Sequence, residues 1–216
     1  MKKFAVVLSG CGVYDGAEIH EATLSMLAIQ RQGGEYQCFA PNINQHHVIN
    51  HLNGEEMNES RNILIESARI ARGDIKDLNE FNANDFDALL FPGGFGVAKN
   101  LSTVAFEGSQ ATVNEDIVKV VKDIHQQKKP IGALCISPAI IAKILGDVNV
   151  TIGNEKATAD VIESFGATHI ETTHGDVVFD EDNIVFTTPC YMLDANITDI
   201  DDGANNIVDA MLKWMD

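Results

Sequence analysis

The run Pro130–Gly146, Pro-Ile-Gly-Ala-Leu-Cys-Ile-Ser-Pro-Ala-Ile-Ile-Ala-Lys-Ile-Leu-Gly, leaves a folding chain few choices. Ile131–Leu134 is a short apolar stretch with the character of a buried strand. Pro138–Leu145 sets Ile140, Ile141, Ile144 and Leu145 on one helical face, and Gly146 supplies the stop. Pro138 suits a first helical turn, where its missing N–H costs nothing. Cys135 is therefore caught at a strand-to-helix switch with almost no loop. Such a bend is strained and needs small neighbours, here Ala133 and Ser137. It lifts a side chain above the sheet edge and points a helix N-terminus at it, which favours thiolate over thiol. The competing reading is an inert buried cysteine, because free cysteine is among the most buried residue types.

The same alternation runs through the chain. Phe4–Leu8 reads as strand one. Ser9–Gly16 is a glycine-rich turn opening onto a helix over 17–32, with Ile19, Ala22, Met26 and Ile29 on one face. Asp15 and Glu18 have the spacing of a capping box, which offers Glu18 a structural task. Tyr36–Ala40 is strand two. Residues 41–60 break the rhythm: they are polar, rich in Asn and His, and contain the hairpin-type turn Asn53-Gly54, so they read as an inserted hairpin. A helix follows over 61–71, then a connector over 78–86. Ala88–Phe91 is a strand with Pro92-Gly-Gly-Phe-Gly96 directly behind it. One helix is expected near Leu101–Phe106 and an amphipathic one over 115–127, with Ile117, Val120, Val121 and Ile124 inward. After the central bend come a strand over 148–152, a helix over 155–165, strands over 177–179 and 184–187, and a closing helix over 204–214. Strands alternating with helices imply a mainly parallel sheet covered on both faces, an α/β sandwich formed by one domain spanning 1–216.

The bulk properties narrow the partners. A chain of 216 residues can bury a core without disulfides or metal. Its net charge is −17, from 32 acidic and 15 basic residues. Nucleic acid and anionic membrane both demand a basic face and are not expected. Cys11, Cys38, Cys135 and Cys190 are widely spaced with no Cys-x-x-Cys pair, which fits a reducing compartment and no zinc site. Residues 1–11 superficially resemble a lipoprotein leader ending at Cys11. Their apolar part, Phe4–Leu8, is too short for one and reads better as a strand. No other stretch is long enough to cross a bilayer. The expected location is cytoplasmic.

Ligands of such sheets bind at the carboxyl ends of the strands. Three segments converge there: the glycine-rich turn, Pro92–Gly96 and the Cys135 bend. N–H groups of Gly94 and Ile136 are the expected pair facing a developing oxyanion, although Gly93-Gly94 can also be no more than a tight turn. A nucleotide site at Gly10-x-Gly12 is disfavoured, because the full G-x-G-x-x-G pattern is missing. His47 and His51 are four apart, yet they lie in a polar insertion without a third ligand, so no metal is expected. No cofactor is expected either.

Leu-Phe-Pro-Gly-Gly-Phe-Gly, Gly-Ala-Leu-Cys-Ile-Ser-Pro and Gly16-Ala-Glu-Ile-His-Glu21 together resemble the ThiJ/PfpI superfamily, the class I glutamine amidotransferase-like proteins. The opening Leu-Ser-Gly-Cys-Gly-Val-Tyr-Asp-Gly-Ala-Glu-Ile-His-Glu-Ala is similar to the branch associated with isoprenoid biosynthesis. The resemblance spans essentially the whole chain. It implies a flavodoxin-like three-layer sandwich, a homodimer and a glutathione-independent glyoxalase, a lyase that turns the small aldehyde glyoxal into glycolate. It puts Cys135 on the family nucleophile and Glu21 on the acid that hydrogen-bonds the thiol; Glu18 is the rival. It also exposes departures. Ile136 stands where protease-like members have histidine, Thr151-Ile152-Gly153 replaces a histidine-bearing strand, and no His-x-Glu pair follows. His20 and His174 are the substitutes left for a partner to Cys135. Cys11, Gly12, His20, Gly93 and Cys190 are further candidates for the pocket. An amidotransferase or hydrolase would need a histidine at the sulfur. A redox-sensing regulator would need selective oxidation at Cys135.

Overall fold

The computed structural model describes residues 1–216. In chain order the elements are β1 (Lys3–Val7), α1 (Ile19–Arg31), β2 (Glu35–Ala40), β3 (Val48–Ile49), β4 (Glu56–Met57), α2 (Ile63–Ile70), β5 (Ile75–Asp77), β6 (Ala88–Phe91), α3 (Phe95–Lys99), α4 (Val104–Glu107) and α5 (Glu115–Gln126). They continue with β7 (Ile131–Leu134), α6 (Pro138–Leu145), β8 (Asn149–Val150), α7 (Lys156–Ser164), β9 (Thr168–His169), β10 (Val178–Asp180), β11 (Val185–Thr188) and α8 (Ile197–Met215).

Seven strands form one sheet in the order β10-β11-β7-β6-β1-β2-β5. All pairs are parallel except β10 with β11. Parallel strands of this kind are buried on both faces, which is why β1, β6 and β7 are almost wholly apolar. Successive residues of β1 feed opposite cores. Phe4 and Val6 pack with Ala22, Met26 and Ile29 of α1 and with Ile200, Ile207 and Met211 of α8. Ala5 and Val7 pack with Ile117, Val121 and Ile124 of α5 and with Ile140 and Ile141 of α6. The result is the expected flavodoxin-like sandwich.

The order has a functional consequence. From β1 the chain steps outward through β2 to β5, then returns to the other side of β1 for β6, β7 and β11. The carboxyl ends of β1 and β6 therefore diverge and leave a crevice.

Several expectations need correction. Helix α1 begins at Ile19, and its N-cap is Glu18, whose side chain accepts from the Glu21 N–H at 2.7 Å. Asp15 does not cap this helix; its carboxylate accepts from Ile49 N–H at 2.7 Å and so ties down the insertion. The expected strand over 148–152 shrinks to β8, which pairs with β9 outside the main sheet. The single helix expected near Leu101–Phe106 is replaced by α3 and α4. The closing helix starts at Ile197, earlier than its apolar stripe suggests, behind a capping box formed by Asn196 and Asp199. The inserted hairpin is present as β3 and β4.

Candidate active site

Strand β7 ends at Leu134, and Cys135 then takes φ 59°, a left-handed conformation foreign to a side chain with a Cβ. A strained residue of this kind costs about 1–3 kcal/mol and persists only where its surroundings fix it. Here they do. The Cys135 N–H donates to Thr188 O of β11 at 3.0 Å. Ser137, fully buried, donates its hydroxyl to Pro92 O at 2.8 Å. Ser137 is also the N-cap residue of α6, followed by Pro138. The bend is clamped between the strands on either side of β7.

Glu21 arrives from the first turn of α1. It is completely buried, which is unusual for a lone carboxyl group. Each oxygen is occupied by a backbone donor. Gly93 N–H reaches Oε2 at 2.8 Å, and Tyr191 N–H reaches Oε1 at 3.2 Å. The remaining neighbour is the Cys135 thiol, which hydrogen-bonds the carboxyl group. Gly93 holds this pair together by having no side chain. A Cβ there would fall 2.8 Å from Sγ of Cys135 and 2.6 Å from Oε2 of Glu21. The turn that carries Gly93 is fixed in turn to α1, because Glu18 N–H donates to Gly93 O at 2.9 Å.

The electrostatics follow from burial. Desolvation, reinforced by the nearby Glu18, pushes the Glu21 carboxyl up to about 7, against the N–H donors that favour its charge. Desolvation and then the Glu21 charge push the Cys135 thiol well above its ordinary value, while the N–H groups of Gly94 and Ile136 pull it down. The expectation that the helix N-terminus would leave a resting thiolate is therefore overturned. Burial and a facing carboxylate outweigh two backbone donors. The resting site is a thiol held against a carboxyl group that titrates near neutrality.

Cys135 is 7 % exposed and opens onto a cavity of about 340 Å³. Gly94, Phe95, Ile136, Tyr191, Met192 and Thr158 form much of its wall, with Val13 and Glu155 completing it. Glu155 is the one carboxylate on that wall, and it accepts from Ala157 and Thr158 N–H as the N-cap of α7. The N–H groups of Gly94 and Ile136 both point at the sulfur.

Of the further pocket candidates, only Gly93 touches the Cys135–Glu21 pair, through its N–H to Glu21 Oε2. Cys11 and Gly12 are not on the cavity wall. Gly12 instead makes room for the insertion, since a Cβ there would meet His51 Nε2 at 2.6 Å. Cys190 is buried at the second bend of the edge, with its sulfur 3.1 Å from where a Cβ on Gly203 of α8 would stand. His20 is exposed and hydrogen-bonds the Tyr191 hydroxyl at 2.8 Å. His174 lines a different cavity with Asn154, Thr172 and Leu193. The other histidines are also engaged elsewhere. His51 accepts from Tyr14 N–H, His47 meets Lys99, His46 packs on Phe106, His125 meets Asn183, and His169 accepts from Ile152 N–H. No imidazole stands at Cys135. His47 and His51 lie beside strand β3 rather than on a helix, and no group of three or more His, Cys, Asp or Glu side chains could hold a metal ion.

Tyr191, Met192, Glu155 and Thr158 were not singled out by their sequence. Tyr191 and Met192 lie within four residues of the end of β11, so the rule that sites gather at carboxyl ends of strands would have found them. Glu155 and Thr158 enter from α7, and no local signal marks them.

A parallel sheet with a cysteine on a strained strand-to-helix bend, a buried glutamate beside it and no histidine defines a cysteine–carboxylate site of the amidotransferase-like sandwich class. The chain belongs to the DJ-1/PfpI family, whose family model matches residues 11–189. It is 46% identical over 221 residues to the human glutamine amidotransferase-like class 1 domain-containing protein 3, mitochondrial, covering 98% of this chain and 82% of that protein. It is 44% identical to the rat ES1 protein homolog, mitochondrial, over 98% of this chain and 83% of the relative. Among solved structures it matches an isoprenoid biosynthesis protein with an amidotransferase-like domain from Ehrlichia chaffeensis, with TM-score 0.94, 37% identity and complete coverage of both chains. Glyoxalase III from Candida albicans shares the fold, with TM-score 0.63 at 17% identity over 98% of this chain and 96% of that one. No helix is long and apolar enough to cross a membrane.

Proposed function

We propose that the protein is a glutathione-independent glyoxalase that converts glyoxal to glycolate with Cys135 as nucleophile and Glu21 as proton carrier. The observation that supports this reading is the pairing of a reachable thiol with a buried carboxyl group titrating near 7 and no imidazole. A carboxyl group tuned close to the working pH serves as both base and acid.

As Sγ of Cys135 bonds to one aldehyde carbon, the thiol proton passes to Glu21 and on to the new alkoxide, giving a hemithioacetal. The N–H groups of Gly94 and Ile136 hold that oxygen while it is charged. Glu21 then takes the hydrogen of the same carbon as a proton and returns it to the neighbouring carbon through an enediol. One carbon is oxidised to a thioester and the other reduced to a carbinol, so no external oxidant is used. Water cleaves the carbon–sulfur bond, restores the thiol and releases glycolate.

Peptide or glutamine hydrolysis by a cysteine–histidine pair fits less well, because the acid–base group beside the sulfur is a carboxyl group. Glycolate formation by Cys135→Ala, followed by NMR, is expected to be abolished. Undiminished turnover in that variant overturns the assignment.

A further inference from the structure

The cavity at Cys135 does not end at its own wall. A second apolar depression of about 220 Å³ lies alongside it between α3, α4 and α7, and the two share Phe95, Ile136 and Thr158. Ala98, Val104, Ala105, Ala157 and Val161 form its other surfaces, so no side chain lining it is charged. Phe95 is 47 % exposed at the junction. An exposed phenylalanine is unremarkable alone, but here it stands where the two spaces meet.

Glyoxal has two carbons, each bearing oxygen, and nothing in it to bury. A cavity of this size with mostly apolar walls is suited to a larger molecule with an apolar part and a few polar atoms fixing its orientation. In the cavity beside Cys135, polar groups come from Cys135, the N–H groups of Gly94 and Ile136, Tyr191, Thr158 and Glu155, whereas Thr158 is the one polar side chain of the adjoining depression. The walls carry no cation that would hold an anionic substituent. Glu155 adds negative charge at the mouth. The neighbouring ammonium of Lys99, 5.0 Å from the centre of the Phe95 ring, is engaged by Tyr14 O at 2.8 Å.

We infer that the groove along Phe95, Thr158 and Val161 is a subsite for the apolar substituent of the substrate, which makes the preferred substrates uncharged 2-oxoaldehydes with an alkyl or aryl tail. This inference rests on the glyoxalase reading and specifies its substrate class. The aldehyde carbon bonds to Cys135, and its hydrogen moves as a proton through Glu21 to the keto carbon. The keto carbon becomes a carbinol, and water releases a 2-hydroxy acid whose tail lay in the groove. Atoms and electrons balance within the substrate and one water.

Two measurements on the full-length protein test this. The first compares kcat/KM for methylglyoxal, 2-oxopentanal and 2-oxohexanal. Burial of each added methylene should raise it about fourfold, giving about 60-fold from methyl to butyl. The second measures alkylation of Cys135 by N-ethyl-, N-butyl- and N-hexylmaleimide, read by intact mass and corrected with Cys135→Ala. It should rise by a similar factor per methylene and needs no turnover. Ala105→Trp and Val161→Trp fill the groove from two different helices, and each should pull both chain-length ratios towards one. Flat series in the unmodified protein overturn the subsite. So do Trp variants that change self-association in sedimentation while leaving the ratios intact, which would make the groove a contact between copies. Rising alkylation with no turnover of any aldehyde upholds the subsite and overturns the glyoxalase reading.

Discussion

Two cysteines follow adjacent parallel strands at the same edge of the sheet, and both have left-handed backbones. Cys135 follows β7 with φ 59°, and Cys190 follows β11 with φ 43°. Burial raises both thiols well above their ordinary value. Their surroundings nevertheless differ in kind. Cys135 faces a cavity, a carboxyl group and two backbone donors. Cys190 lies under α8 in the core formed with Ile200, Ile207 and Met211, close to where a Cβ on Gly203 would be. The sharp turn is therefore not what would make a cysteine a catalyst. The space in front of the sulfur and the acid beside it are.

The widest gap between the two bends should appear on removing the acid. Glu21→Gln keeps the size of the side chain but cannot carry a proton, and it should slow glyoxal turnover about a hundred- to ten-thousandfold in a steady-state assay. Cys190→Ala should stay within a few-fold of the parent. If the two variants lose activity equally, the distinction between the bends collapses.

Thiol reactivity sharpens the contrast. Alkylation of Cys135 by iodoacetamide should rise with pH through about 7 as Glu21 loses its proton and becomes a base. Glu21→Gln should erase that inflection, and Cys190 should remain unlabelled until the fold opens.

Stability gives a smaller effect of fixed sign. The Glu21 carboxyl titrates near 7 when folded, against 4.5 for an unperturbed glutamate. Between those values the folded chain holds a proton that the unfolded chain has released, so stability must fall as pH rises from about 4.5 to 7. The limit set by the shift is about 3 kcal/mol. Glu21→Gln should flatten that slope in denaturant titrations at pH 5 and pH 8, and an unchanged slope would show that Glu21 is not the group responsible. The smallest change belongs to Cys190→Ala, which should cost about 1 kcal/mol at any pH by leaving a small void under α8.

Much of this was legible in the sequence, and the boundary has physical causes. The buried strands β1, β6 and β7 could be read because both faces must be apolar, and such runs have few other uses. The Cys135 bend could be read because strand and helix meet there without a loop. Strand β5 was missed because Ile-Lys-Asp at the sheet edge carries no such pattern. The start of α8 was missed because Thr198, Asp199, Asp201 and Asp202 look like loop, while the cap on Asn196 shows only in three dimensions. Glu21 was favoured over Glu18 on resemblance and because a capping task already accounted for Glu18; Glu18 does cap α1, and Glu21 is the fully buried one. The state of the thiol was misjudged because a helix N-terminus can be read from sequence, but the depth of burial cannot.

Glu21 and Cys135 are separated by about half the chain, and they meet because α1 follows β1 and Cys135 follows β7, with β6 and its Gly93 turn between the two strands. A ribosome releasing this protein thus exposes first an ordinary glutamate and much later an ordinary cysteine, neither able to do anything unusual. The pairing comes into being when β7 docks beside β6 and the segment after β11 closes over both. Misassembled or half-built copies would carry an unpaired thiol, so the proposed chemistry would be available only in the completed fold.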